Sequence, residues 1–126
     1  MIDELALKDL YLRDTIPIRL GNLASSIKRL GFLIYSKKPE KTVHRLFQEC
    51  RFFSDWTAPD ASHETQAGLA ALQRDLDSWQ NEFQNTNGDE LWRGEINAAC
   101  ERWSNRILEL SGLLKTGVPA RRSEPT

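Results

Sequence analysis

Chemistry in a chain of 126 residues falls first to its histidines and cysteines, and there are two of each: His44, His63, Cys50 and Cys100. Di-iron sites in helical bundles are built from inward Glu residues and paired ExxH motifs. Neither histidine stands in such a motif, and Glu40 and His44, four apart, fall with the charges expected to face solvent. The cysteines lie fifty positions apart without CxxC spacing or a nearby His pair, which leaves zinc unsupported. Both fall in apolar stripes, where a thiol behaves as a small hydrophobe and is not poised for attack. Phosphate loops of the GxGxxG or GxxxxGK type are absent. The expectation is two reduced, buried thiols, surface histidines, and no catalytic, metal-binding or cofactor-binding residue; the chain is read as no enzyme.

Helices must position whatever these side chains do. Ile16, Leu20, Leu23, Ile27, Leu30 and Ile34 recur at steps of 4, 3, 4, 3 and 4, one stripe on a helix. Asp14 or Thr15 can cap its start, Pro17 suits the first turn, and Lys37, Lys38 and Pro39 end it. A second helix runs from Pro39 to Trp56 with Val43, Leu46, Phe47, Cys50 and Phe53 on one face, and stops before Pro59. Ser62 caps a third, whose stripe is Leu69, Leu72, Leu76, Trp79 and Phe83. Asn85 to Gly88 breaks the chain, and Asp89 caps a fourth with Trp92, Ile96, Cys100, Trp103, Ile107, Leu110 and Leu114 in line, Gly112 falling in its last turn.

Four amphipathic segments on short connections predict an all-α, up-and-down four-helix bundle, with residues 2–12 as a short extra N-terminal helix packed across it. Residues 1–114 form one domain on this reading, and residues 115–126, without periodicity, a disordered tail. No apolar run approaches the ~18 residues of a membrane span. The acidic start, MIDELALKDLYLRD, is unlike a signal peptide, so the chain is expected to begin at Met1 and to be cytoplasmic.

A net charge of −1 conceals a division. Residues 13–51 carry nine Lys or Arg against three Asp or Glu, a net of +6, whereas residues 52–114 carry four Arg against eleven acids, a net of −7. Lys28, Arg29, Lys37, Lys38, Lys41 and Arg45 make a candidate anion-binding surface for nucleic acid or another polyanion. The overall acidity and the absence of an RNA-binding or helix-turn-helix signature weigh against that reading. A protein partner of matching charge, or pairing of opposite charges along the seams between basic and acidic helices, are the other readings.

RFFSDWTAPD, residues 51–60, carries three large aromatics. At about 100° per residue, Phe53 reaches the shoulder of its helix's core stripe, while Phe52 and Trp56 form a second apolar patch. That patch is either covered by residues 2–12 or the 57–61 loop, or it is an anchor for a protein partner. A base-stacking platform is a third reading, with Arg45 and Arg51 near. The first long helix is two-sided as well: Ile18, Gly21, Ser25 and Phe32 lie opposite its stripe, and the small residues admit another helix, from residues 2–12 or from a second subunit in a homodimer. Phe52, Trp56, Ile18, Gly21 and Phe32 are therefore the candidate partner-binding residues.

The stretches LALKDLY (5–11), RLGNLASSIKRL (19–30), DWTAPD (55–60), LQRDLDSWQ (72–80) and WSNRILELSGLL (103–114) resemble short all-helical proteins of cyanobacterial genomes without an assigned activity. The resemblance implies a non-enzymatic bundle inside the cell, and no reaction or ligand. Small HEPN bundles are a different case: their ribonuclease members place Arg four to six residues before His, and Lys38, six before His44, departs from that pattern. The expected function is a helical protein-interaction or adaptor module, with polyanion binding as the alternative.

Overall fold

The computed structural model describes residues 3–86 and 88–113, and its regular structure is entirely helical. Five helices follow one another: α1 Glu4–Leu12, α2 Ile16–Tyr35, α3 Glu40–Thr57, α4 His63–Thr86 and α5 Glu90–Ser111. A single 3-10 turn, Ala58–Asp60, lies between α3 and α4. The tail expected to be disordered, residues 115–126, lies outside the described residues, as do Ile2 and Leu114.

Local chemistry explains the ends. Asp3 accepts from the Ala6 N–H at 3.3 Å and Asp89 from the Trp92 N–H at 2.7 Å, so each meets an amide the first turn leaves open. Ser62 does the same for Thr65. Thr15 precedes α2 without a side-chain cap, and Pro17 in the first turn removes one donor that would need a partner. α2 ends where Lys37 turns left-handed, at φ 57°, with Lys38 N–H returning to the Leu33 carbonyl. Gly88 and Gly112 take the positive φ values that open and close α5.

Neighbouring helices run antiparallel. Arg93, early in α5, bonds the carbonyl of Ile34, late in α2, while Leu113 lies against Gly21 near the start of α2. Small residues let these two helices close up: Gly31 faces Cys100 and Asn97, and Ser104 donates to the Ala24 carbonyl at 2.9 Å. Ser26 bonds Glu49 across α2 and α3. Two indole N–H groups of α5 reach acids of α4, Trp92 to Glu82 at 2.6 Å and Trp103 to Asp75 at 2.7 Å. Leu23, Ile27, Leu30, Ile34, Val43, Phe47, Leu72, Leu76, Cys100 and Ile107 are fully buried between them, the expected stripes meeting in one dry core.

α1 is fastened by Tyr11, its one buried residue. The ring stacks on Phe53 with centroids 4.2 Å apart and tilts against Trp56 at 5.8 Å. Its phenol donates to the Arg19 carbonyl at 2.9 Å and lies 2.7 Å from Thr57 Oγ1, a hydroxyl that is also within hydrogen-bond distance of the Phe53 carbonyl. Tyr11→Phe should cost about 1–2 kcal/mol in urea unfolding at pH 7. Burial pushes the phenol from its ordinary 10.0 up to about 12, against smaller lowering effects of Thr57 and Arg19. The unfolded chain therefore releases this proton first, and the stabilisation present below pH 10.0 is lost as pH rises through about 12. The gap between wild type and Tyr11→Phe should narrow over that window. A constant gap would contradict the buried phenol.

Candidate functional site

The structure separates the residues proposed for partner binding. Trp56 is buried, 8 % exposed, because Tyr11 and Phe53 close over it on one side and Phe52 stacks on it at 5.1 Å. Phe52 is half-buried at the edge of this aromatic cluster. The covering of this patch is thus supplied by α1, within residues 2–12, through Tyr11. Gly21 also has an intramolecular neighbour: a Cβ there would meet Leu113 Cδ1 at 3.0 Å, so the side chain closing on it comes from just past the end of α5.

What stays open is the outer side of α2. Ile18, Phe32 and Tyr35 are 43, 58 and 55 % exposed, and Ser25 lies between them on the same face. Ile18 and Phe32 are fourteen residues apart, so the strip extends about 21 Å at 1.5 Å per residue. Lys28 and Arg29 stand exposed along it. Three further apolar side chains are exposed away from this strip, Leu5 and Leu10 on α1 and Leu91 on α5; sequence reasoning had assigned Tyr35 and Leu91 no role.

The charges pair only in part as the seam reading expects. Among the described residues the ion pairs are Arg19 with Asp60, His44 with Glu40, Arg51 with Asp77 and Arg106 with Glu109, and of these only the first and third join different elements. The acids of α4 nearest α5 serve as acceptors for tryptophan instead. Lys28, Arg29, Lys37, Lys38, Lys41 and Arg45 are all exposed and none has an acidic partner. They do not converge: two lie on α2, two in the α2–α3 connection, and two on α3.

Lys41 and Arg45 belong to a groove of about 750 Å³ between α3 and α4. Its floor is His44, Arg51 and Gln80, half-buried; Gln48 and Gln84 join the two cations on the rim. His44 sits edge-on to Phe83 at 5.5 Å and within 3.4 Å of the Gln80 amide. Arg51 holds Asp77, yet its Nε is buried with no hydrogen-bond partner.

Cys50 and Cys100 are both buried free thiols. Burial pushes Cys100 up to about 12 and Cys50 well above its ordinary range, Cys100 and Glu49 adding to the latter. A thiol so placed stays protonated at neutral pH and attacks nothing. His63 opens α4 at the surface, remote in sequence from either thiol. Among the described residues, no three of His, Cys, Asp and Glu gather in a metal-binding group, and no helix is long and apolar enough to cross a membrane. In comparisons with known proteins, no family model, curated protein or solved structure matches this chain.

Proposed function

We propose that this chain is a non-catalytic protein-interaction module: α2 to α5 form an up-and-down four-helix bundle, α1 braces it as an added short helix, and the outer face of α2 docks a partner. The observation that carries this reading is the exposed strip Ile18–Phe32–Tyr35 beside the unpaired Lys28 and Arg29. Aromatic and aliphatic side chains on a rigid helix supply contact area at low entropic cost, and cations around them select an acidic rim. The partner is a second copy of the chain or another protein inside the cell, with apolar and acidic side chains in register.

Phe32→Ser with Tyr35→Ser tests this directly. Both side chains are largely exposed, so folding stability should move by no more than about 0.5 kcal/mol. Self-association in sedimentation velocity, or co-purification of the native partner, should weaken about thirtyfold, which is roughly the 2 kcal/mol of an interface hot spot. A variant that keeps its oligomeric state and every partner would remove this face from the account.

A second reading, polyanion binding, is favoured by one observation: Phe32 and Tyr35 are interleaved with the unpaired Lys28, Arg29, Lys37 and Lys38. Retarded mobility of single-stranded nucleic acid that falls steeply with salt, and falls again when those four cations are neutralised, would support it.

A further inference from the structure

The α3–α4 groove is a different surface from the outer face of α2, and its chemistry is different as well. Lys41, Arg45 and Arg51 are strung along one side of α3 over ten residues, about 15 Å at 1.5 Å per residue. A lone phosphate is held where donors converge on one point. This line of cations matches a row of carboxylates, whose repeat is close to 6 Å both at i, i+4 of a helix and at alternate positions of an extended chain. Glu40 and Asp77, the nearby acids, are occupied by His44 and Arg51, so Lys41 and Arg45 are unopposed. Gln48, Gln80 and Gln84 interleave amides that both donate and accept, which suits a peptide backbone. The lining contains no Phe, Tyr or Trp ring on which a base would stack, and its one imidazole, His44, is packed edge-on against Phe83.

We propose that this groove binds a carboxylate-rich peptide segment, with Lys41 and Arg45 gripping its acidic side chains and the glutamine amides its backbone. The proposal rests on the reading of the chain as a protein-interaction module, and it adds the acidic class of partner and a second point of attachment.

The test uses the whole chain and a fluorescein-labelled oligoglutamate of about twelve residues, long enough to run the groove either extended or helical. Anisotropy at low salt should show saturable binding, and amide shifts should centre on residues 41–51 and 77–84. Lys41→Gln with Arg45→Gln should weaken binding about tenfold or more, whereas Lys28→Gln with Arg29→Gln should change it less than about twofold. Phe32→Ser with Tyr35→Ser should leave it intact, which keeps the fate of the groove distinct from that of the α2 face. Absence of binding, equal losses from the two cation pairs, loss in the Phe32 and Tyr35 variant, or tighter binding of inorganic polyphosphate or oligo-dT would each overturn the assignment.

Discussion

Gly31→Ala should destabilise the protein by about 1–3 kcal/mol, and Gly31→Val by more. An ordinary helical glycine behaves in the opposite way, because alanine gains up to about 1 kcal/mol of helix propensity. Here the new Cβ would lie 2.7 Å from Cys100 Cβ, 2.9 Å from Asn97 Oδ1 and 3.2 Å from Asn97 Cα. Two of those atoms are fixed by the α5 backbone and cannot swing aside, so α2 and α5 must separate along their closest line of approach. Separation would open space around Ile27, Leu30 and Ile34, all fully buried. Gly94 supplies the control: it lies on the same helix as Cys100, a Cβ there meets nothing within 4 Å, and Gly94→Ala should stabilise. Guanidinium unfolding of the two variants should give shifts of opposite sign. Equal shifts would mean that the α2–α5 seam is looser than described.

Arg93→Met should lower stability by about 2–4 kcal/mol. Arg93 is 8 % exposed, so it is a charged side chain in the interior, and it remains there because its donors are engaged. Nη1 donates to the Ile34 carbonyl at 2.6 Å and Nε to the Gly88 carbonyl at 3.3 Å, with the guanidinium 5.6 Å from the centre of the Phe83 ring. The Ile34 carbonyl belongs to the last turn of α2, where the helix dipole favours a cation. One side chain therefore ties the end of α2 to the start of α5 and covers a ring of α4. Methionine keeps most of the stem's volume and removes every donor. Arg93→Lys should fall between the two, since an ammonium cannot serve both carbonyls from one planar fork. Urea midpoints with an unchanged slope would measure the loss; a Met variant as stable as wild type would show that burial of the stem alone matters.

These two residues also mark where the sequence was legible and where it was not. The stripe Ile16 to Ile34, the caps Ser62 and Asp89, and the last-turn Gly112 could be read because spacing and capping are local properties, and each stands in the structure as expected. Gly31 escaped notice because a glycine within a helix does not reveal which neighbour crowds it; Gly21 and Ser25 drew attention, while the tight seam runs through Ala24 and Gly31. Arg93 had a signal, standing seven residues before Cys100 and fourteen before Ile107 on the same stripe, yet its charge and the neighbouring Trp92 obscured it. Tyr11 does not stand out within residues 2–12, and only its hydroxyl partners, distant in sequence at Arg19 and Thr57, show it to be the fastening of α1. The exposure of Ile18 and Phe32 was legible as a second helical face. The α3–α4 groove was not, because Arg51, Gln80 and Gln84 come together only when α4 folds back along α3.

The interaction surface itself is most directly examined by placing a photo-crosslinking amino acid at position 32 in the native cell, with matched probes at Arg102 and Glu109, which are exposed on α5. The account predicts a discrete protein adduct from position 32, abolished by Ile18→Ser with Tyr35→Ser, and none from the two α5 positions. Adducts from the α5 probes with position 32 silent would contradict it.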